Sequence, residues 1–248
     1  MDLGLASKRI IVTGGSRGIG LSIAESCAKE GARVAICGRS QASLDAAAAT
    51  LAAYGGEVVA HSCDVGDPED LAAFLERARQ DLGGLDGLVN NPSAFGHQDD
   101  EESWRSNLDV DLLGVVRATR FAADAIEEDS GGAIVNISSI SGIGASGNIA
   151  YGAAKAAVIH ATQSYARKLA AKRIRVNAIA PGSIEFPGGL WDQRRREEPE
   201  KYQSTLAVIP FGRMGHPEEI GKVAAFLLSD VASWITGQTI TVDGGQNL

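Results

Sequence analysis

Cysteine is scarce in this sequence. Only Cys27, Cys37 and Cys63 occur; an odd number cannot all pair, and they show no metal-ligand spacing. They read as small core residues, and no metal is expected. Basic residues are also short, 23 Lys and Arg against 31 Asp and Glu, for a formal net charge of −8. That balance argues against a general nucleic-acid binder, which would carry a basic stripe. No apolar run is long enough to cross a bilayer. The stretch Met1 to Lys8 lacks the charged-then-apolar layout of a signal peptide, so a cytoplasmic protein is expected. Linkers, repeats and low-complexity tails are missing too. What remains is a 248-residue chain with 44% hydrophobic residues, enough for one α/β domain or two small ones.

Strand-like and helix-like segments alternate along it. Apolar runs predict strands over 10–13, 34–37, 58–62, 87–90, 133–137, 176–179 and 239–242. Helical periodicity predicts helices over 19–30, 41–53, 68–82, 101–127, 150–172 and 217–229. This is the pattern of β-α-β units and a mainly parallel sheet with helices on both faces. We expect a single doubly wound, Rossmann-type α/β domain with seven strands over residues 1–248. On such sheets ligands lie beyond the carboxyl ends of the strands. The irregular stretch 185–210 follows the sixth strand. It reads either as a lid over the substrate or as a solvated helical excursion. Its triplet Arg194-Arg195-Arg196, flanked by glutamates, reads as a solvated face.

Two local patterns carry chemistry. The first is Thr13-Gly14-Gly15-Ser16-Arg17-Gly18-Ile19-Gly20, set between the first strand and the first helix. Strand, glycine turn and helix present free backbone N–H groups to a phosphate, and glycines let the backbone approach it. The second is Tyr151-Gly152-Ala153-Ala154-Lys155, a phenol and an ammonium one helical turn apart on a shared face. A fixed cation nearby favours the phenolate, lowering a pKa that is ordinarily about 10. Taken alone, the pair could equally be a packed ring and a solvated amine.

Taken together the residues resemble the short-chain dehydrogenase/reductases of the classical subgroup, among them the 3-oxoacyl-[acyl-carrier-protein] reductases. The resemblance covers nearly the whole chain in ordered blocks: the glycine turn, Asn90-Asn91, Ser139 with Tyr151 and Lys155, Asn177 to Gly182, and Val242 to Gly245. It implies that Tyr151 is the general acid and base, that Lys155 holds the ribose hydroxyls, and that a serine steadies the substrate oxygen. Ser139 is the preferred serine, because Ser138 should point away if the strand alternates. The resemblance further implies a cofactor site of Gly14, Ser16, Arg17, Gly18, Ile19, Gly20, Asp64, Val65, Asn91, Pro181, Gly182 and Ile184, with Tyr151 and Lys155. It also implies a homotetramer, or a homodimer, packed through the 101–127 and 150–172 helices.

Two departures stand out. Pro92-Ser93 replaces the family's Ala-Gly after Asn91, and Asp111 stands where asparagine is common. Asp111 could accept the same hydrogen bonds while adding a charge that opposes the phenolate; Asn107, a turn earlier, could share its role. After the second strand no carboxylate waits for a ribose hydroxyl. Arg39 and Ser40 stand there instead, with Arg17 in reach of the same space. Arginine suits a 2′-phosphate, so NADP(H) is the expected cofactor and NAD(H) the lesser possibility. Phe95, His97, Ser141, Phe186 and Trp191 are expected to face a small-molecule carbonyl or alcohol substrate. A regulatory cofactor-binding protein, or a lyase or epimerase without net redox, is the alternative.

Overall fold

The computed structural model describes residues 2–127 and 130–248. Met1, in the amino-terminal stretch read above, lies outside them. The strands are β1 (Arg9–Val12), β2 (Arg33–Gly38), β3 (Val58–Ser62), β4 (Gly87–Asn90), β5 (Gly132–Ile137), β6 (Ile174–Pro181) and β7 (Thr239–Val242). They form one seven-stranded sheet in the order β3-β2-β1-β4-β5-β6-β7. Every pairing is parallel. The chain winds outward from β1 to β3 and then back from β4 to β7. The reversal between β1 and β4 opens a crevice at the carboxyl edge of the strands.

Strand alternation divides the core. Ile10, Val12, Val34 and Ile36 pack on one face with Ile23, Leu44 and Ile220. Ile11, Ala35, Cys37 and Leu88 pack on the other with Leu71, Phe74, Ala122 and Leu169. Because both faces are covered, the strand sequences are near-continuously apolar rather than alternating. All three cysteines are buried and free; burial pushes the Cys27 thiol up to about 12, with a further push from Glu30.

The helices are α1 (Gly18–Lys29), α2 (Gln41–Ala52), α3 (Pro68–Leu82), α4 (Glu101–Asn107), α5 (Val115–Ala125), α6 (Ile149–Leu169), α7 (Leu190–Glu197), α8 (Pro199–Ala207) and α9 (Pro217–Leu228). Local signals set their ends. Asp67 caps α3 by accepting from Glu69 and Asp70, Pro68 starts it, and left-handed Gly83 stops it. The helix expected over 101–127 is not continuous. Its middle, Leu108–Gly114, is π-helical; such widened turns hold an extra residue and recur at functional sites. The 185–210 stretch contains two short helices, α7 and α8. It closes a small core of its own from Tyr202 and Ile209, with Met214, Trp191 and Leu206.

The glycine turn leaves no room for side chains. A Cβ on Gly20 would lie 2.1 Å from the Gly14 carbonyl oxygen. One on Gly147 would meet nothing within 4 Å. Gly20→Ala is therefore expected to lower the melting temperature and weaken dinucleotide binding, while Gly147→Ala leaves both in place, as read by thermal melts with and without nicotinamide dinucleotide.

Candidate active site

The turn after β1 is built for a phosphate. Gly14 and Gly18 take positive φ, +64° and +55°, which glycine adopts at no steric cost. Asn91 stitches the end of β4 to it. Its backbone N–H donates to Thr13 Oγ1 at 3.1 Å, and its Nδ2 donates to the Gly14 carbonyl at 3.0 Å. No side chain caps α1 and no acidic residue stands in its first turn. The first N–H groups of that helix thus face outward without a side-chain acceptor, the arrangement that receives an anion.

Around the turn lie the other residues assigned to the cofactor. Ser16 packs against Gly38. Arg39 and Ser40 are exposed at the end of β2, but the Ser40 hydroxyl already caps α2 by accepting from Ser43. Asp64 Oδ1 accepts from Gly66 N–H at 2.9 Å, and Val65 packs against Gly114. Pro181 ends β6, Gly182 donates to the Val242 carbonyl at 3.0 Å, and Ile184 bridges to Gly215. Arg17 is not free: its Nη1 donates to the Gly188 carbonyl at 3.3 Å, across to the 185–210 stretch. A glycine cradle with open N–H groups and a flanking exposed arginine fits a nicotinamide dinucleotide.

Beside this cradle the sheet edge gathers Ser139, Tyr151, Lys155 and Asp111. Ser138 Oγ is buried and donates to the Lys155 carbonyl at 2.9 Å. Ser139 is turned the other way and interacts with the Tyr151 hydroxyl. Its Oγ accepts from Ser141 N–H at 3.1 Å, which leaves its own proton to donate. The Lys155 ammonium is 2% exposed. It donates to the Ile137 and Pro92 carbonyls at 3.0 and 3.2 Å, and lies 5.6 Å from the centre of the Tyr151 ring.

Asp111 is fully buried in the π-helical segment, with Oδ1 3.0 Å from Lys155 Nζ. Its Oδ2 accepts from Ala94 N–H at 2.9 Å. The two sequence departures are thus one unit: Asp111 and Lys155 together hold the Pro92-Ser93-Ala94 turn. Asn107, read as a possible substitute, instead donates to the Gly96 and Ser103 carbonyls.

The electrostatics differ from the sequence-based expectation. Burial raises the Tyr151 pKa above its ordinary value. Lys155 opposes that rise, Asp111 adds to it, and Ser139 and Ser93 pull it down, leaving the net shift upward. For Lys155, burial lowers the pKa, but Asp111 and then Tyr151 outweigh it and the ammonium is held charged. Ser93 was missed from sequence as a site residue. Its hydroxyl is buried, has no aligned partner and faces the phenol. The signal was there, a hydroxyl in a place where the resembled family has glycine.

The residues expected to face substrate divide. Phe95 stacks on Tyr151, ring centres 6.0 Å apart and 16° between planes, and His97 lies 6.0 Å from Phe95. Ser141 is half-buried at the start of the short helical turn after Ser139. Phe186 is placed elsewhere: its ring covers Gly18 and Gly189, over the phosphate turn. Trp191 belongs to the small core of the 185–210 stretch, set edge-on to Tyr202 at 6.5 Å. The arginine triplet is not uniformly a solvated face either, because Arg194 is buried.

Asp111→Asn removes a carboxylate that raises the Tyr151 pKa. The variant's pH–rate profile for alcohol oxidation should therefore show its acid limb at lower pH than the wild type. It also leaves a buried ammonium without its counter-charge, a loss of up to about 3–5 kcal/mol in urea unfolding. An oxidation profile that stays in place, or moves to higher pH, would show that the phenol does not feel this carboxylate.

Comparison with known proteins addresses the family of the chain. A family model described as enoyl-(acyl carrier protein) reductase matches residues 14–247. The chain is 38% identical over 247 residues to a 3-oxoacyl-[acyl-carrier-protein] reductase of Thermotoga maritima, covering 97% of this chain and 98% of that one. Its fold superposes on L-sorbose reductase from Gluconobacter frateurii, solved with NADPH and L-sorbose, with a TM-score of 0.90, 31% identity and coverage of 99% and 98%. It matches 7α-hydroxysteroid dehydrogenase, solved with NADH and 7-oxo glycochenodeoxycholic acid, at a TM-score of 0.91, 32% identity and coverage of 98% and 96%. A match of this extent at these identities settles the kinship: the chain belongs to the classical short-chain dehydrogenase/reductases, oxidoreductases that work with a nicotinamide cofactor.

Proposed function

We propose that the protein passes a hydride between NADP(H) and a carbonyl or secondary alcohol, with Tyr151 carrying the proton. The observation that supports this reading most is the Tyr151 hydroxyl, met by Ser139 and backed by buried Lys155, beside the glycine cradle. When bound, the nicotinamide supplies or takes the hydride. In reduction the phenol gives its proton to the substrate oxygen as the carbon gains hydride, so the C=O π bond is replaced by new C–H and O–H bonds and the C–O single bond remains. Ser139 donates to that same oxygen as negative charge gathers on it. Lys155 then faces the phenolate that is left until solvent returns the proton. A phenol is protonated near neutrality, so reduction starts from a ready donor; oxidation must first remove the phenol proton.

The choice of NADP(H) rests on Arg39, exposed at the end of β2 with no carboxylate beside it in the turn. We read 185–210 as a substrate lid. Its small core is separate from the two main ones, and Gly188 at its base takes φ +73°. For the substrate, exposed Phe95 and Ile143 favour a partly apolar carbonyl compound; the Thermotoga relative's name points to a 3-oxoacyl group as one form of it. A homotetramer is the proposed assembly, for which the exposed Ala153 and Ala156 of α6 permit close approach.

Two substitutions test these readings. Tyr151→Phe should reduce turnover by about 10²–10⁴-fold, the usual share of a general acid, while dinucleotide binding in a fluorescence titration stays near wild type. Comparable turnover in the variant would remove Tyr151 from the chemistry. Arg39→Asp should move the ratio of kcat/KM for NADPH over NADH toward NADH by about tenfold or more, the loss of one charge-assisted phosphate contact. An unmoved ratio would remove Arg39 from cofactor selection.

A further inference from the structure

We propose that the cleft holds a subsite for an anionic group, a carboxylate carried by the carbonyl substrate, formed by Arg194 on α7 and His97 on the loop between β4 and α4. The inference rests on the reading of Tyr151 as the proton-transfer residue and adds which compounds that site selects.

The three consecutive arginines have different fates. Arg195 lies 3.0 Å from Asp192 and 3.2 Å from Glu185, and Arg196 lies 3.0 Å from Asp192. Both are more than half exposed. Arg194 is 8% exposed. Its nearest carboxylate, on half-exposed Glu198, stands 3.8 Å away and is shared with Lys201 at 3.2 Å. Arg194 Nε is buried with no hydrogen-bond partner. A guanidinium cannot shed its charge in a protein, and a buried cation without close partners is costly. Its place is explained if a bound anion completes it.

The side chain is also oriented for that task. Its guanidinium carbon sits 4.8 Å from the centre of the Trp191 ring. Trp191 is in turn braced by Tyr202, whose hydroxyl donates to Glu185 at 2.8 Å. The ring holds the guanidinium by its charge, and the planar fork of donors suits a planar carboxylate. His97, which feels the charge of Arg194, has a buried Nδ1 without a partner. Burial and then the charges of Arg194 and Lys201 hold the His97 pKa down, against a smaller pull from Glu198. A carboxylate there would satisfy the guanidinium, and the imidazole could donate to it as well.

Phe95 links this corner to the reacting phenol. It holds a left-handed backbone, φ +52°, unusual for an aromatic residue, and is 48% exposed. Its ring centre lies 6.0 Å from that of Tyr151 and 6.0 Å from that of His97. A substrate with its carbonyl at Tyr151 and a flat apolar body on Phe95 would bring its far end to His97 and Arg194.

The test uses the full-length protein with NADPH, and with NADH in parallel, on 4-acetylbenzoate, its methyl ester and 4-acetylbenzenesulfonate. The expected result is a kcat/KM for the carboxylate about tenfold or more above that of the ester, the value of one charge-assisted contact. Arg194→Gln should remove that preference, acting mainly on KM, and Arg194→Lys should restore part of it. A sulfonate used as well as the carboxylate supports an anion subsite but overturns the choice of a planar carboxylate. Equal use of acid and ester by the wild type, or an equal loss on both in Arg194→Gln with a lowered melting temperature, overturns the proposal and leaves Arg194 a brace of the lid. If no ketone is reduced, the proposed function fails on its own. Calorimetric titration of 4-acetylbenzoate then reads the subsite separately: binding abolished by Arg194→Gln supports it, and absence of binding overturns it.

Discussion

The buried pair of Lys155 and Asp111 ties the functional edge of the molecule together. Through two carbonyls, one backbone N–H and a 3.0 Å charge contact it joins α6, the end of β5, the Pro92–Ala94 turn and the π-helical segment. Two charges out of water are tolerable only when they face each other and their remaining polar groups find partners. That condition fixes the positions of all four elements at once. It also explains the local widening of the helix between α4 and α5, which carries Asp111 into this fully buried place.

A cost comes with the arrangement. The lysine makes phenolate easier to form, while the aspartate that secures the lysine makes it harder, and burial makes it harder still. The hydroxyls of Ser139 and Ser93 work in the opposite direction. The phenol is therefore protonated at rest, as the proposed role of proton donor requires. The glycine cradle is the complementary half of the edge. There Gly14, Gly18 and Gly20 are fixed by the lack of space for a side chain, and the backbone is what a dinucleotide would meet.

The seven strands and the parallel sheet covered on both faces were legible from apolar runs, while the strand order came from the structure. Six strand starts fell within a residue of the structure, and β6 began two residues earlier than expected. The break in the 101–127 helix was not legible, since a π turn keeps helical composition. Phe186 and Trp191 were placed near substrate by their position in the chain. The structure puts one ring on the glycine turn and the other inside the small core of the 185–210 stretch. Arg194 was hidden by its neighbours: three adjacent helical residues point about 100° apart, so one of an arginine triplet can turn inward while the others stay in water.

By itself the sequence determined the α/β class, the phosphate turn and the face shared by Tyr151 and Lys155, because these depend on period, spacing and the backbone freedom of glycine. Only the tertiary structure decided what each charge meets. Desolvation and partner distance come from residues far apart in the chain, such as Asp111 beside Lys155, and no local pattern encodes them.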